Sequence, residues 1–142
     1  MGKFSSSKIF YNCDRYIDNV AKQFSEQMQQ EGFDINAHKV SDGKWDISIK
    51  KGGMFKAILG MKSALKIEIH STSPNVLVKT RVGIFAQQAV PTVITMLVLW
   101  PVLLAQIWGM IKQAKLDTHV MEVLQQDFST AMGQTVYTQD VD

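Results

Sequence analysis

Apolar residues recur with helical spacing near the start of the chain. After Asp14 they come at intervals of three and four positions, with polar residues such as Asp18 between them. This spacing predicts a helix from about Arg15 to Glu31 with one buried face and one solvated face, the latter including Asp18. Asp14 is expected to cap its first turn and Gly32 to end it. The predicted buried face consists of Ile17, Val20, Ala21, Phe24 and Met28.

The spacing then changes to two. Four segments alternate apolar and polar residues, which is typical of strands with one buried face. Turn sequences at 41–44, which include Gly43, and at 71–75 join these segments into two hairpins. With an extended segment at Lys8–Cys13, they predict an α+β fold, in which one amphipathic helix covers a mainly antiparallel sheet of about five strands. The alternating segments are 33–38, 45–50, 65–70 and 76–82.

A third pattern, from Ala89 to Ile111, contains no charged residue. Between Val93 and Trp100 every direction around a helical wheel is apolar except at Thr95, so a helix there offers no face to water. We expect this surface to be covered by lipid, by another helix of the chain or by a second protomer. The run is long enough for a bilayer core of roughly 30 Å, which needs about 20 apolar helical residues.

Pro101 interrupts this run. Proline lacks an amide hydrogen and disfavours helical geometry at the residue before it, here Trp100. We therefore predict an apolar helical hairpin with arms at roughly 91–99 and 102–114, which could pack on the sheet, enter one leaflet or grip a partner. The first arm, at about 14 Å, is too short to span a bilayer alone. The candidate membrane or interface residues are Val93, Ile94, Leu97, Leu99, Trp100, Pro101, Leu104, Ile107, Trp108 and Ile111.

The connection from Lys50 to Lys62 combines three glycines and four lysines with apolar residues. It lacks the Gly-Lys-Ser/Thr ending of a phosphate-binding loop. It is either a connection whose apolar residues tuck under the sheet, a partner-binding loop, or an interfacial loop. In the last case its apolar tips would enter lipid while its lysines meet anionic headgroups. The candidate interfacial residues are Met54, Phe55, Lys56, Ile58 and Leu59.

Beyond Ile111 the chain becomes polar. Asp117 is expected to cap a last helix, and residues 133–142 are polar and expected to fray. The sequence thus predicts a single domain over residues 1–132, including the apolar segment 89–111, followed by a tail at 133–142. The buried stripe of the last helix is predicted to be Val120, Val123, Leu124 and Phe128.

The composition mainly excludes classes of function and kinds of site. The chain has 142 residues, and a formal charge of +2 with dispersed basic residues does not indicate nucleic-acid binding. Its single cysteine, Cys13, fits a reducing compartment and a buried thiol. His38, His70 and His119 have no partners at metal-ligand spacing, and solvent exposure is expected for the first two. No catalytic motif is present, so we expect no enzymatic activity, cofactor or metal.

The segments "GIFAQQAVPT" and "WPVLLAQIWGMIKQAKLD", between Lys62 and Asp117, resemble small uncharacterised bacterial domains. In these domains a short sheet precedes an apolar helical region with a Trp-Pro step. The resemblance implies a bacterial protein and membrane association, and it implies no activity or site. The order of helix, antiparallel strands and long last helix also resembles helix-grip lipid-binding folds.

The sequence therefore favours a non-enzymatic protein anchored to the cytoplasmic membrane through its apolar helical segment. One alternative is a soluble, cytoplasmic homo-oligomer or partner-binding module that uses the same helices as an interface. Another is a carrier of a hydrophobic ligand in a cavity between helices and sheet.

Overall fold

The computed structural model describes residues 5–50, 61–86 and 105–141, with only the backbone described at 61, 62 and 84–86. Within these ranges the chain forms a six-stranded antiparallel sheet and three helices, which confirms the predicted α+β class. The helices are α1 (Ile17–Gln30), the described part of α2 (residues 105–113) and α3 (Leu116–Met132).

The six strands lie in the order β2-β3-β4-β5-β1-β6, and every neighbouring pair is antiparallel. Both predicted hairpins, β2–β3 and β4–β5, are confirmed, and β1 lies beside β5 rather than next to β2. The strand bounds are β1 (Ser5–Phe10), β2 (Asp34–Ser41), β3 (Lys44–Lys50), β4 (Met61–Ser71), β5 (Val76–Ala86) and β6 (Thr138–Val141).

The helices pack on one face of the sheet, which we call the inner face. All five residues predicted for the buried face of α1 are fully enclosed there. The predicted stripe of α3 also faces inward, with Val123 partly buried and the other three residues fully buried. The ring of Phe128 lies 5.3 Å from that of Phe10, which fixes the C-terminal half of α3 over β1.

Neither aspartate predicted as a helix cap acts as one. A short 3-10 turn (Asp14–Tyr16) precedes α1, and the Asp14 carboxylate accepts a hydrogen bond from Ser71 Oγ at 3.3 Å. In α3 the capping position belongs to Lys115, whereas Asp117 lies inside the first turn. Its carboxylate accepts from Lys112 Nζ at 2.9 Å. Asp14 thus bonds to a side chain 57 positions away and Asp117 to one five positions away, and neither caps its helix.

The tail expected to fray instead forms β6, which raises the strand count from about five to six. Val136 is buried, and the ring of Tyr137 lies 5.4 Å from that of Tyr11. Tyr11 also donates a hydrogen bond to Gln139 Oε1 at 2.6 Å. These contacts attach the end of the chain to β1, and residues 138–141 therefore belong to the sheet.

Candidate functional site

One end of the sheet, formed by Lys50, Met61 and Ala86, carries both apolar segments identified in the sequence. Met61 lies directly opposite Ala86 in the β4–β5 pair. Because Ile49 pairs with Leu65, the end of β3 at Lys50 lies about three residues short of the Met61–Ala86 pair. The connection 51–60 and the beginning of the segment 87–104 therefore join the described fold at this one end, which we call the exit end.

Most of the predicted membrane residues lie outside the described ranges, and their contact with lipid or with a partner stays a prediction. They are Val93, Ile94, Leu97, Leu99, Trp100, Pro101 and Leu104 from the apolar run, and Met54, Phe55, Lys56, Ile58 and Leu59 from the connection.

Three of the predicted membrane or interface residues are described, and all three lie in the protein's own core. Ile107, Trp108 and Ile111 on α2 are 3%, 9% and 0% exposed and belong to the same apolar cluster as the sheet and α1. The other side of α2, which includes Gln106 and Met110, is exposed. For these three residues, the expected contact with lipid or a partner is replaced by packing within the chain. The C-terminal end of the apolar run is thus docked to the domain.

The outer face of the sheet, opposite the helices, is strongly charged. Lys66 Nζ lies 2.8 Å from Asp46 Oδ2, and Arg81 Nε lies 2.6 Å from Glu68 Oε2. By strand register, the described outward side chains of β2–β5 include five cations and three carboxylates, an excess of two positive charges. The cations are Lys44, Lys50, Lys66, Lys79 and Arg81, and the carboxylates are Asp34, Asp46 and Glu68.

Part of this outer face is a cavity of about 480 Å³ that includes Lys50 and Lys66 in its lining. Asn36, His38 and Ser48 contribute further polar groups to it. His38 and His70 are both exposed, as the alternation predicts. Asp34 also lines this cavity, and Lys66 is paired with Asp46, so the exit end is bordered by a polar sheet surface with charges of both signs.

Cys13 is fully buried in the apolar cluster. Burial, with a smaller contribution from the nearby Asp14 carboxylate, raises the pKa of its thiol to about 12. Since the thiolate is the reactive form, this cysteine is inert at neutral pH. The expectation of a small buried thiol is confirmed.

Two findings concern absences within residues 5–50, 61–86 and 105–141. No helix in these ranges is both long enough and apolar enough to cross a bilayer. Nor do three or more histidine, cysteine or acidic side chains there lie close enough to hold a metal ion.

Comparisons of the chain with protein-family models and with curated proteins found no match. The resemblance to small bacterial domains stays a prediction, and the functional argument rests on the residues of this chain.

Proposed function

We propose that the protein is a non-enzymatic, membrane-associated protein that is anchored to the cytoplasmic membrane through the apolar segment 87–104. The observation that carries this proposal is the exit end, where that segment joins the fold beside the second apolar, lysine-containing connection, 51–60. Two segments with the composition of interfacial elements thus emerge from one place on the domain.

The apolar character of the segment requires a cover. Burial of apolar surface stabilises a protein by roughly 25 cal/mol per Å². A helix of this kind that leaves one apolar side exposed to water therefore loses several kcal/mol of stabilisation. A small domain has a total stability on the order of 5–15 kcal/mol. The described core already contains Ile107, Trp108 and Ile111 from the end of the run. Lipid can cover the apolar segment without any additional surface from this chain or from a partner.

Both flanks of the segment belong to one core. Val82 on β5 and Ile107 on α2 lie in the same buried cluster, so the chain leaves and re-enters the same body. A single crossing would separate the flanks by a hydrocarbon layer of roughly 30 Å. The first predicted arm, at roughly 91–99, would reach about 14 Å, close to the middle of a bilayer. This placement favours insertion into one leaflet over a complete span.

The charge distribution supports the same arrangement. Lys50 lies at the exit end, and Lys51, Lys56 and Lys62 are in or next to the connection. A basic residue near an anionic membrane surface contributes about 1 kcal/mol of attraction. The exit end thus combines apolar segments with the cations that anionic headgroups attract.

A vesicle flotation assay with purified protein tests this proposal. The wild-type protein is expected to float with anionic vesicles, whereas the double variant L97D/L104D is expected to stay at the bottom of the gradient. V40D/M110D is the matched control, because it places two aspartates at exposed apolar positions of the described fold. It should float like the wild type. Equal behaviour of the two double variants, or a wild-type protein that stays soluble with vesicles present, overturns the proposal. In the latter case, light scattering that gives a discrete dimer would support the oligomer alternative.

A further inference from the structure

Strand β2 (Asp34–Ser41) forms one edge of the sheet. It pairs with β3 on one side, and no strand lies on its other side within residues 5–50, 61–86 and 105–141. The opposite edge is β6, which has only four, mostly polar residues. An edge strand presents a row of N–H and C=O groups to which a further strand can be added. Of the two edges in the described fold, β2 therefore offers the longer one.

Only the C-terminal part of β2 carries features that prevent such an addition. The register with β3 shifts between Lys39 and Ser41, and Lys39 points to the inner face, where its Nζ lies 2.8 Å from Asp18 Oδ2 of α1. Bulges and inward-pointing charges are devices by which proteins protect a sheet edge. Residues 34–38 pair with β3 without interruption and contain no proline, glycine or inward charge. We call residues 34–38 the open stretch of β2.

The inner face of the open stretch is apolar and incompletely covered. Ile35 and Ala37 point to this face, and both are packed against the core but only partly buried. Their partners on β3, Ile49 and Ile47, are fully buried. A neighbouring strand with apolar side chains on the same face would remove more of this surface from water.

The outer face of the open stretch has a charge pattern that is complementary to itself. Asp34, Asn36 and His38 are all exposed. In an antiparallel pair of two copies, a two-fold axis at Asn36 places Asp34 of each copy opposite His38 of the other. The same register places Ile35 opposite Ala37 on the inner face. A histidine N–H can donate to a carboxylate whether the ring is neutral or charged, so this register forms two stabilising cross-strand pairs.

Neighbouring registers lack this match. The apolar residues of both copies must stay on the inner face, so the axis has to pass through a residue rather than between two. An axis at Ile35 places Asp34 opposite Asn36, and one at Ala37 places Ile35 opposite Lys39. An axis at either end of the open stretch leaves like ionisable groups opposite each other. The charge pattern thus selects a second copy of the chain, and one register.

We propose that two copies of this protein pair through the open stretch of β2, antiparallel and with the two-fold axis at Asn36, so that their sheets join into one. A contact of five residues on each side is small, which is typical of a weak and reversible dimer. This interface is separate from segment 87–104, and the proposal does not depend on membrane anchoring.

Cysteine cross-linking of the full chain under mild oxidation tests the register. The two copies of residue 36 should face each other with Cα atoms about 4.5–5.5 Å apart, a separation that a disulfide can bridge. N36C is therefore expected to form a disulfide-linked dimer. The native Cys13 is fully buried and does not contribute.

D34C and H38C are the matched controls, because both positions are exposed and lie two residues from Asn36. In the proposed register, each of these cysteines lies about 14 Å along the strand from its own copy. Each variant alone should cross-link at least about tenfold more slowly than N36C, since a disulfide cannot bridge that separation. A mixture of D34C and H38C places the two different cysteines opposite each other and keeps one native Asp34–His38 pair. Mass spectrometry should therefore find a disulfide-linked heterodimer in the mixture.

Sedimentation of the full chain in detergent solution measures the affinity. H38D places two carboxylates opposite each other on both sides of the axis and should weaken dimerisation by about tenfold. V40D adds a carboxylate at an exposed position of β2 outside the open stretch and should dimerise like the wild type.

Equal cross-linking rates of N36C, D34C and H38C, or a mixture without heterodimer, overturn the proposal whether or not H38D folds. Equal weakening by H38D and V40D also overturns it. A dimer held together by segment 87–104, or a different protein on the edge of β2, would give N36C no advantage over its controls. The cross-linking pattern therefore fails or succeeds independently of the flotation assay.

Discussion

Asp127 lies in the contact between α3 and α1, where its side chain is almost completely buried at 1% exposure. Burial raises the pKa of its carboxyl group to about 6, against a smaller lowering by a hydrogen bond with Gln27. Within the described part of the chain, neither Oδ2 of Asp127 nor Oε1 of Gln27, both buried acceptors, has a donor. At neutral pH the folded protein therefore holds a charged carboxylate in a place that favours the neutral acid.

Replacement of Asp127 by asparagine should stabilise the protein at pH 7 by about 1–3 kcal/mol, since one pKa unit corresponds to about 1.4 kcal/mol. The amide also offers a donor to Gln27 Oε1. Because the folded-state pKa is raised above the ordinary value of 3.8, the folded wild type binds more protons than the unfolded chain between about pH 4 and pH 6. Its stability relative to D127N therefore rises as the pH falls through this window.

Urea denaturation of the wild type and D127N at pH 7, 5 and 4 measures this difference. The advantage of the variant should shrink steadily toward pH 4. A variant that is less stable than the wild type at pH 7, or a difference that does not vary with pH, would contradict the assignment.

Asp18 shows what helical periodicity can and cannot predict about single residues. The spacing placed it on the solvated side of α1, and its side chain is indeed 47% exposed. It nevertheless accepts hydrogen bonds from Trp45 Nε1 at 2.9 Å and Lys39 Nζ at 2.8 Å. These bonds lower the pKa of its carboxyl group and tie α1 to β2 and β3. Its partners are 21 and 27 positions away, so no local pattern in the sequence indicates them.

At the scale of elements, sequence patterns predicted the units whose partners are close along the chain. The β2–β3 and β4–β5 hairpins have alternating apolar residues and a turn between them, which together specify the pairing. The pairing of β1 with β6 joins Ser7 to Val141, and four-residue β6 has a mostly polar sequence. Short, polar and distant strands carry no periodic signal, so the sixth strand could not be found in this way.

Two glycines, Gly43 and Gly109, offer a matched test of the hairpin and helix assignments. Gly43 has φ +73°, and an added Cβ would lie 2.9 Å from Ser71 Cβ. G43A should destabilise the protein by about 1–3 kcal/mol, because it combines left-handed backbone with a steric clash. Gly109 is in α2, and among the described residues no atom outside its own helix backbone and chain neighbours lies within 4 Å of an added Cβ. G109A should therefore stabilise the protein by about 0.5–1 kcal/mol.

Chemical denaturation of both variants against the wild type measures these changes. The decisive feature is the opposite sign of the two effects for one and the same substitution. Destabilisation by G109A would mean that α2 near Gly109 is not an exposed helical surface.

At the scale of the whole molecule, hydrophobicity alone could not separate protein core from a lipid-facing surface. The uncharged run was visible in the sequence, but its end at Ile107, Trp108 and Ile111 packs in the core of the domain. The reason is that both environments select the same apolar side chains, and only three-dimensional neighbours tell them apart. A polar cavity between β1 and the N-terminal half of α3 escaped prediction because it joins the two ends of the chain, β1 and β6, to α2 and α3.

Membrane insertion from one side can be tested through the flanks of segment 87–104. Lys79 on β5 and Gln106 on α2 are both exposed, and Cys13 is fully buried. A double variant, K79C/Q106C, therefore carries two reactive thiols, while the native Cys13 does not react. Because both flanks belong to one core, both cysteines should lie on the same side of a reconstituted vesicle.

Intact vesicles containing K79C/Q106C are treated with a membrane-impermeant maleimide, and the protein is then weighed by mass spectrometry. Insertion from one side predicts molecules with two labels or none, whichever way the protein is oriented, because the two thiols share a compartment. A single crossing predicts exactly one label on every molecule, again independent of orientation. Detergent-solubilised protein should carry two labels throughout, which controls for thiol reactivity. A majority of singly labelled molecules in intact vesicles would therefore refute insertion into one leaflet, even if the protein floats with lipid.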